Sequence, residues 1–321
     1  MHEPTPTSFS VAAASDPVRA PAEAPASSPP ASAFVAVILA NIALGFGPWF
    51  VRLADTGPVA AGFWRITLAI PVLVAFALAS GARPARLAPA LWLVVIGGGV
   101  FFAADLASWH LGILRTTLGN ATLFGNSATL IFPIYGFLVA RAWPTRIQAL
   151  ALLLAATGGG LLLGRSYQVD PRHLAGDLLC LLAGILYAVY FIAMSRARDV
   201  MAPLPALALS TIASALPLLV FAALLGERIM PQDWTPLIAL ALVSQIVGQG
   251  LMIYALGRLS PLVIGIALLV QPMVGGALGW IEYNERLGLV DLVGAGLVAA
   301  ALVLVRRGRV APAPPREQEQ A

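Results

Sequence analysis

Residues 34–53 read FVAVILANIALGFGPWFVRL, an apolar run whose first charged side chain is Arg52. A helix of about 20 apolar residues is long enough to cross the ~30 Å hydrocarbon core of a bilayer. Similar runs follow along the chain, separated by short stretches that carry Arg, Asp, Gly or Pro. They predict nine further spans, at residues 58–80, 89–114, 117–139, 146–164, 174–195, 204–226, 235–257, 260–281 and 288–305. We therefore expect an all-α integral membrane protein with ten transmembrane helices.

The composition is typical of a chain whose solvent is lipid. Hydrophobic residues make up 59% of the 321 residues, charged residues make up 11%, and the mean hydropathy is +0.87. These values lie outside the usage of soluble globular domains. The net charge of +4 comes from arginines scattered between the apolar runs, so membrane topology explains it better than nucleic-acid binding does. The single cysteine, Cys180, excludes an intramolecular disulfide.

The order of the apolar runs repeats after about 141–146 residues. The aromatic segment at 46–51 falls on 187–192, Pro71 falls on Pro217, and the end of the fifth run at 163–165 falls on 304–306. A shared offset in the same order indicates a duplicated unit of five helices. Because five is odd, the second unit enters the membrane from the opposite side, and inverted repeats of this kind are the geometry of alternating access.

The duplication divides the chain into two repeats with short flanking segments. We expect a disordered tail at 1–32, a first five-helix repeat at 33–164, a loop at 165–173, a second repeat at 174–305 and a polar tail at 306–321. Twelve of the 19 arginines lie on the side of the predicted termini and six on the other side. Since basic residues accumulate in cytoplasmic loops, both termini are predicted to be cytoplasmic, in a multi-pass protein of the cell inner membrane.

Several short motifs resemble the EamA-type members of the drug/metabolite transporter superfamily. In the first half they are Gly45-Phe46-Gly47-Pro48-Trp49-Phe50, Phe63-Trp64-Arg65 and the stretch from Trp109 to Thr117. In the second half they are Gly176-Asp177-Leu178-Leu179, Tyr254-Ala255-Leu256, Ser260-Pro261, Gln271-Pro272 and Glu285-Arg286-Leu287. The resemblance covers residues 34–305 and implies a ten-helix transporter that exports small organic metabolites. The chain departs from the pattern at 141–144, where the counterpart of Glu285-Arg286-Leu287 has no carboxylate.

Asp105 is a charged side chain well inside a predicted span. A charge at a helix centre costs ~2.5–3.5 kcal/mol on insertion scales, so such residues face a cavity or a partner. Ser108 and Trp109 share its helix face, and the repeat offset matches Asp105 with Gln249, which shares a face with Gln245. One interpretation is that Asp105 lines a central cavity and couples transport to protons. The other is that it is a structural partner of Arg65 or of a bound water.

Arg65 also has two interpretations. It is close enough to the start of its helix for its side chain to reach the membrane boundary, where it would act as an anchor or join two helices. Alternatively, its guanidinium binds a carboxylate of the substrate, or Asp105 when the site is empty.

Other site candidates are aromatic residues, one amide and two prolines. Aromatic side chains that combine apolar contact with an N–H or O–H group suit a pocket wall, although they also collect at membrane boundaries. The pocket candidates are Trp49, Trp109, Tyr187, Tyr190, Tyr254 and Gln271, and the candidate hinges are Pro48 and Pro272.

Motifs for other chemistry are missing from the sequence. It contains no metal-ligand cluster, no phosphate-binding Gly-Lys-Ser/Thr loop and no nucleophile elbow, so we expect neither an enzyme nor a cofactor. The sequence therefore predicts a secondary active transporter of small organic metabolites such as amino acids, whose partners are the substrate, the lipid bilayer and protons. That it is an exporter is implied by the resemblance alone. The alternative is a flippase-like protein that moves an amphiphilic or lipid-linked substrate.

Overall fold

The computed structural model describes residues 30–81, 88–116, 121, 124–164, 171–283 and 288–307. Over these ranges the chain forms helices joined by turns, and no β-strand occurs in them. The helices are α1 (Ala31–Gly45), α2 (Gly47–Leu53), α3 (Pro58–Ala79), α4 (Pro89–Ile113), α5 (Ala128–Ala140), α6 (Arg146–Gly164), α7 (Leu174–Arg198), α8 (Pro203–Leu224), α9 (Thr235–Ala239), a π-helix (Leu240–Gln249), α10 (Gly250–Leu256), α11 (Pro261–Leu268), α12 (Val270–Tyr283) and α13 (Leu289–Arg307). A single 3₁₀ turn, Pro171–His173, precedes α7.

Seven segments in the described ranges are long and apolar enough to cross a membrane. They are Ala31–Leu53, Pro58–Ala79, Pro89–Ile113, Leu174–Arg198, Pro203–Leu224, Thr235–Leu256 and Pro261–Glu282. Three shorter apolar helices, Ala128–Ala140, Arg146–Leu161 and Leu292–Val305, lie within further predicted spans. The prediction of an all-helical fold is confirmed for the described residues, and the count of ten transmembrane helices stays a prediction.

The flanking segments predicted from the sequence lie largely outside the described residues. Residues 31 and 32 of the predicted 1–32 tail belong to α1, and residues 306 and 307 of the predicted 306–321 tail belong to α13. Within the predicted 165–173 loop, only the 3₁₀ turn at its end is described.

Two spans are broken next to a proline. Pro48 lies four residues after Leu44, and α1 ends at Gly45 before α2 begins at Gly47. Pro272 lies four residues after Leu268, where α11 ends and α12 begins two residues later. A proline removes the hydrogen bond to the carbonyl four residues earlier and its ring crowds that carbonyl, which favours a break at both places. Pro71, Pro133 and Pro217 lie inside unbroken helices, so the packing around each proline also contributes. The two candidate hinges therefore lie at helix interruptions.

Small residues allow the central helices to approach closely. α4 packs against α7 and α8, α3 against α8 and the π-helix, and α1 against the π-helix, α10 and α12. Where α4 crosses α8, a Cβ atom on Gly99 would lie 2.6 Å from the Cβ of Ala213, and Ser214 Oγ donates a hydrogen bond of 2.7 Å to the carbonyl of Gly99. Because lipid is as apolar as leucine, such close packing and interhelical hydrogen bonds hold a membrane bundle together.

The outward faces are apolar. Leu93 of α4, Leu138 of α5 and Leu216 of α8 are 74%, 71% and 69% exposed. Several polar side chains away from the helix ends instead turn inward, among them Asn41, Arg65, Asp105, Thr211 and Gln245, so the bundle is largely apolar outside and partly polar inside. This distribution is expected for a protein in lipid, because polar side chains exposed to the hydrocarbon core are energetically costly.

Candidate functional site

Arg65 lies in the interior of the bundle. Its side chain projects from α3 and is 4% exposed. Nε donates a hydrogen bond of 3.1 Å to Gln245 Oε1, and the guanidinium carbon lies 5.7 Å from the centroid of the Phe102 ring. The guanidinium thus points into the protein, not toward the membrane boundary, and a cation over an aromatic face is attracted by the negative face of the ring.

A relay of hydrogen bonds holds Gln245 in one orientation. Arg65 can only donate, so Gln245 presents its amide oxygen to Arg65 and its amide nitrogen to Thr211. The bond from Gln245 Nε2 to Thr211 Oγ1 is 3.2 Å, and both side chains are fully buried. The relay joins α3, the π-helix and α8. Thr211 is the residue that the repeat offset pairs with Arg65.

The π-helix adds a second amide to the site. Gln249 donates a hydrogen bond of 3.1 Å from Nε2 to the hydroxyl of Tyr187. Its Oε1 and the hydroxyl of Ser244 are buried and accept or donate no hydrogen bond among the residues that the structure describes. Buried polar atoms of this kind need a partner, which a ligand or water can supply. Short π-helical segments occur often at functional sites, and no signal in this sequence marks the segment.

Asp105 lies near Arg65 without pairing with it. Its side chain on α4 is 8% exposed, and its charge interacts with Arg65 and with the hydroxyl groups of Tyr187 and Tyr190. The described part of the chain contains no ion pair between Asp105 and Arg65. The predicted pairing of the two in an empty site is therefore absent from this conformation, where Gln245 is the partner of Arg65 instead.

Stacked aromatic rings form one wall of the site. The Phe102 ring lies 4.5 Å from the Tyr190 ring and 6.2 Å from the Tyr187 ring, measured between centroids. Phe191 packs at 4.2 Å from Tyr187. Phe102 was not among the predicted site residues, although it lies three residues before Asp105 and so shares its helix face. The structure thus brings together Arg65, Asp105, Gln245, Gln249, Tyr187 and Tyr190.

Other predicted residues lie away from this cluster. Trp109 packs in a separate group with Ile113 and Cys180, and Ser108 is half-buried beside it on α4. Trp49 packs on Phe46 and Phe50 around the α1–α2 break. Tyr254 lies near one end of the bundle, where its hydroxyl is 3.3 Å from Ser32 Oγ. These positions depend on how each helix is rotated about its own axis. The spacing of residues along one helix does not determine that rotation.

Gln271 forms a second buried polar contact. Its Nε2 donates a hydrogen bond of 2.9 Å to Asn41 Oδ1, and Asn41 Nδ2 donates to the carbonyl of Val37 at 2.8 Å. Asn41 is fully buried on α1. It was not among the predicted site residues, although a lone amide within the apolar run at 34–51 is a visible signal. This pair joins α1 to α12 just beyond the break near Pro272.

His110 and Glu227 have structural contacts at one end of the bundle. His110 Nδ1 lies 2.6 Å from the carbonyl of Pro58. The carboxylate of Glu227 accepts hydrogen bonds from the backbone N–H groups of Val59 and Ala60 at 3.3 and 2.8 Å, which satisfies free donors at the start of α3. Among the described residues, no group of three His, Cys, Asp or Glu side chains could hold a metal ion.

Comparison with known proteins finds similarity to transporters. Residues 174–307 match the EamA-like transporter family. An uncharacterized transporter of Archaeoglobus fulgidus is 23% identical over 274 residues, which cover 85% of this chain and 95% of the relative. A protein of known crystal structure has the same fold, with a TM-score of 0.74 and 16% identity over 87% of this chain and 99% of that one.

These similarities agree with the motifs from which the resemblance was drawn. The match of 174–307 includes the second-half motifs, and the similarity to the archaeal transporter extends over most of the chain. The second half of the chain thus matches the EamA-like transporter family, and most of the chain is similar to a transporter, in agreement with the predicted resemblance to EamA-type members of the drug/metabolite transporter superfamily.

Proposed function

We propose that this transporter is a secondary active exporter of small organic metabolites such as amino acids, and that it works by alternating access between inverted repeats. The observation that carries the proposal is the buried guanidinium of Arg65. Only its Nε is hydrogen-bonded to a residue that the structure describes. The two terminal nitrogens are available to a carboxylate, which a guanidinium binds through two parallel hydrogen bonds.

The charges around Arg65 suit a substrate that carries both signs. A carboxylate on Arg65 would neutralise a cation held out of water, which is otherwise costly. Asp105 lies close enough to Arg65 for their charges to interact, so an ammonium group of the same substrate would reach it. The unpaired Oε1 of Gln249 is a further acceptor for that group. Phe102, Tyr187 and Tyr190 would contact the apolar part of the substrate.

Paired features of the two halves support the inverted repeats. Gly81 and Gly226 lie 145 residues apart, each directly after the C-cap residue of α3 or α8, with φ of 67° and 66°. Glycine in the left-handed conformation is a common helix terminator, because it satisfies the last carbonyls without a Cβ clash. Two such ends at one offset are what a duplicated unit requires.

The packing of the helices supports the same symmetry. If the two halves are exchanged, α4 corresponds to the segment formed by the π-helix and α10, and α7 corresponds to α1. The contact between α4 and α7 then corresponds to the contact of α1 with that segment, and both contacts occur. Three further contacts each join corresponding helices of the two halves, so the exchange leaves them unchanged. They are α3 with α8, α5 with α11 and α6 with α13. A site between two such halves can open to either side of the membrane in turn.

The polar interior favours a hydrophilic metabolite over an amphiphile. A flippase-like protein would need its polar contacts near a lateral opening, so that the acyl chains of the substrate stay in lipid. Arg65 and Gln245 are instead 4% and 0% exposed, and Gln245 is hydrogen-bonded to Thr211 of α8.

Counterflow in proteoliposomes tests the proposal. Vesicles loaded with one amino acid, sugar or nucleoside are diluted into a trace of the same radiolabelled compound, and transient accumulation of label identifies a substrate. We expect accumulation for compounds that carry a carboxylate, and competition among them. Accumulation of uncharged sugars alone would contradict the role of Arg65. Translocation of a fluorescent phospholipid without any counterflow would support the flippase-like alternative.

A further inference from the structure

A groove on the outer surface of the bundle runs between α1 and α10. It has a volume of about 420 Å³ and is lined by Ser32, Val35, Ala36, Leu39, Leu251 and Tyr254. The α1 residues are spaced three or four apart, so they form one stripe along the helix. At 1.5 Å per residue the stripe from Ser32 to Leu39 is about 10 Å long. Val35 and Leu39 are 53% and 49% exposed, so the groove opens sideways toward lipid.

A cationic group lies at the mouth of the groove. The guanidinium carbon of Arg258 lies 3.9 Å from the centroid of the Tyr254 ring, and its Nη1 donates to the Tyr254 carbonyl at 3.2 Å. Arg258 is exposed and follows the end of α10, while Ser32 is near the start of α1. The hydrogen bond between Ser32 and Tyr254 joins these two helix ends. The groove therefore begins where a span ends, at the depth of lipid head groups.

Further arginines make this end of the bundle positive. The charges of Arg198 and Arg258 interact, and Arg196 is exposed on the same last turn of α7. The guanidinium of Arg198 is bound within the protein, because it donates hydrogen bonds to the carbonyls of Ile253 and Met201. Asp199 is close to Arg198 and offsets part of the charge. Arg258 is the arginine of this group that lies against the groove.

We propose that the groove between α1 and α10 is a binding site for an anionic phospholipid, with one acyl chain along Val35, Ala36, Leu39 and Leu251 and the phosphate on Arg258. An acyl chain fits the apolar stripe, and its length exceeds that of the groove, so the chain end continues into the bilayer. The serine and tyrosine hydroxyls at the mouth lie between the apolar stripe and the cation. They suit the ester region of a lipid, which accepts hydrogen bonds. Basic groups at the membrane surface attract anionic lipids in this way.

The test measures lipid retention by the purified full-length protein. Native mass spectrometry compares bound phosphatidylglycerol with phosphatidylcholine of the same acyl chains. We expect the wild-type protein to retain phosphatidylglycerol preferentially. Arg258→Gln should lower the affinity for phosphatidylglycerol roughly fivefold, since one basic group near an anionic lipid contributes about 1 kcal/mol. Val35→Trp, which fills the exposed groove, should lower retention of both lipids.

Matched controls separate the site from general effects. Arg196→Gln removes one positive charge from the same end but outside the groove, and Leu216→Trp adds the same bulk on an exposed face of α8. Both should bind phosphatidylglycerol like the wild type. Thermal unfolding in phosphatidylcholine nanodiscs checks that each variant is folded. If Val35→Trp does not fold, spin-labelled phosphatidylglycerol immobilised by the wild type and released by Arg258→Gln provides the same comparison.

Several results would overturn the proposal. Equal retention of the two lipids by the wild type would show that the negative charge of the head group is not recognised. Equal losses of phosphatidylglycerol affinity in Arg196→Gln and Arg258→Gln would show that the groove is not the binding site. If removal of residues 1–29 raised lipid retention, the preceding segment of the chain would be the occupant. If the protein were a dimer that Val35→Trp dissociated, the occupant would be a second copy.

Discussion

Arg65 is the residue whose chemistry can be tested most directly. Lysine keeps the positive charge but lacks the planar fork that binds a carboxylate through two parallel hydrogen bonds. If Arg65 binds the substrate carboxylate, Arg65→Lys should reduce kcat/KM for counterflow roughly tenfold or more, with normal expression. Arg196→Lys, at an exposed helix end, serves as the matched control and should leave transport unchanged. Equal losses of folded protein and of transport in Arg65→Lys would point to a structural role instead.

Asp105 is the acidic side chain among the buried residues that the structure describes. A carboxyl group near a cavity can take up a proton from one side of the membrane and release it to the other as its surroundings change. Asp105→Asn removes the titration and nearly preserves the shape, and the repeat already has an amide at the matching Gln249. We expect this variant to fold and to exchange substrate for substrate, but to lose accumulation driven by a pH gradient. Undiminished accumulation in an imposed gradient would leave Asp105 as a polar contact of the pocket.

At the level of the helices, the crossing of α4 and α8 positions Phe102 and Asp105 of α4 relative to Thr211 of α8. Gly99 has no room for a side chain there, whereas a Cβ atom on Gly97 would meet no atom within 4 Å. Gly99→Val should therefore destabilise the protein by about 1–3 kcal/mol through overpacking. Gly97→Val places the same side chain two residues away and should have little effect. Thermal unfolding in detergent measures the difference, and equal stability of the two variants would show that the crossing can relax.

For the whole molecule, the proposed inverted repeats and orientation make a prediction about sidedness. In a Cys180→Ser background, single cysteines at residues 82 and 200 should be protected from an impermeant thiol reagent outside the cell, and a cysteine at residue 168 should react. Labelling of positions 82 and 168 from the same side would contradict the inverted repeats. A complete reversal of the pattern would contradict only the predicted cytoplasmic termini.

The membrane environment and the helical secondary structure could be predicted from the sequence alone. Apolar runs of about 20 residues without charge have to form helices in lipid, because no water is present to satisfy their backbone groups. Pro48 and Pro272 lie at helix breaks, which the missing N–H group of proline favours, but Pro71, Pro133 and Pro217 lie inside unbroken helices, so the residue type alone does not decide where a break occurs. Asp105 was selected as an interior residue because a buried charge needs a partner, and it is buried. For Arg65 the sequence left open whether the side chain reaches the membrane boundary or the interior, and in the structure it is buried.

Which polar groups contact one another depends on the tertiary structure. Arg65 bonds to Gln245 and not to Asp105, while Trp109, one turn from Asp105 on α4, packs in a different group. These contacts depend on how each helix is rotated and where it crosses its neighbours, and close approaches such as that of Gly99 to α8 set both. The π-helix that carries Gln245 and Gln249 likewise has no local signal, because its hydrogen-bond register is decided by the packing of the helices around it.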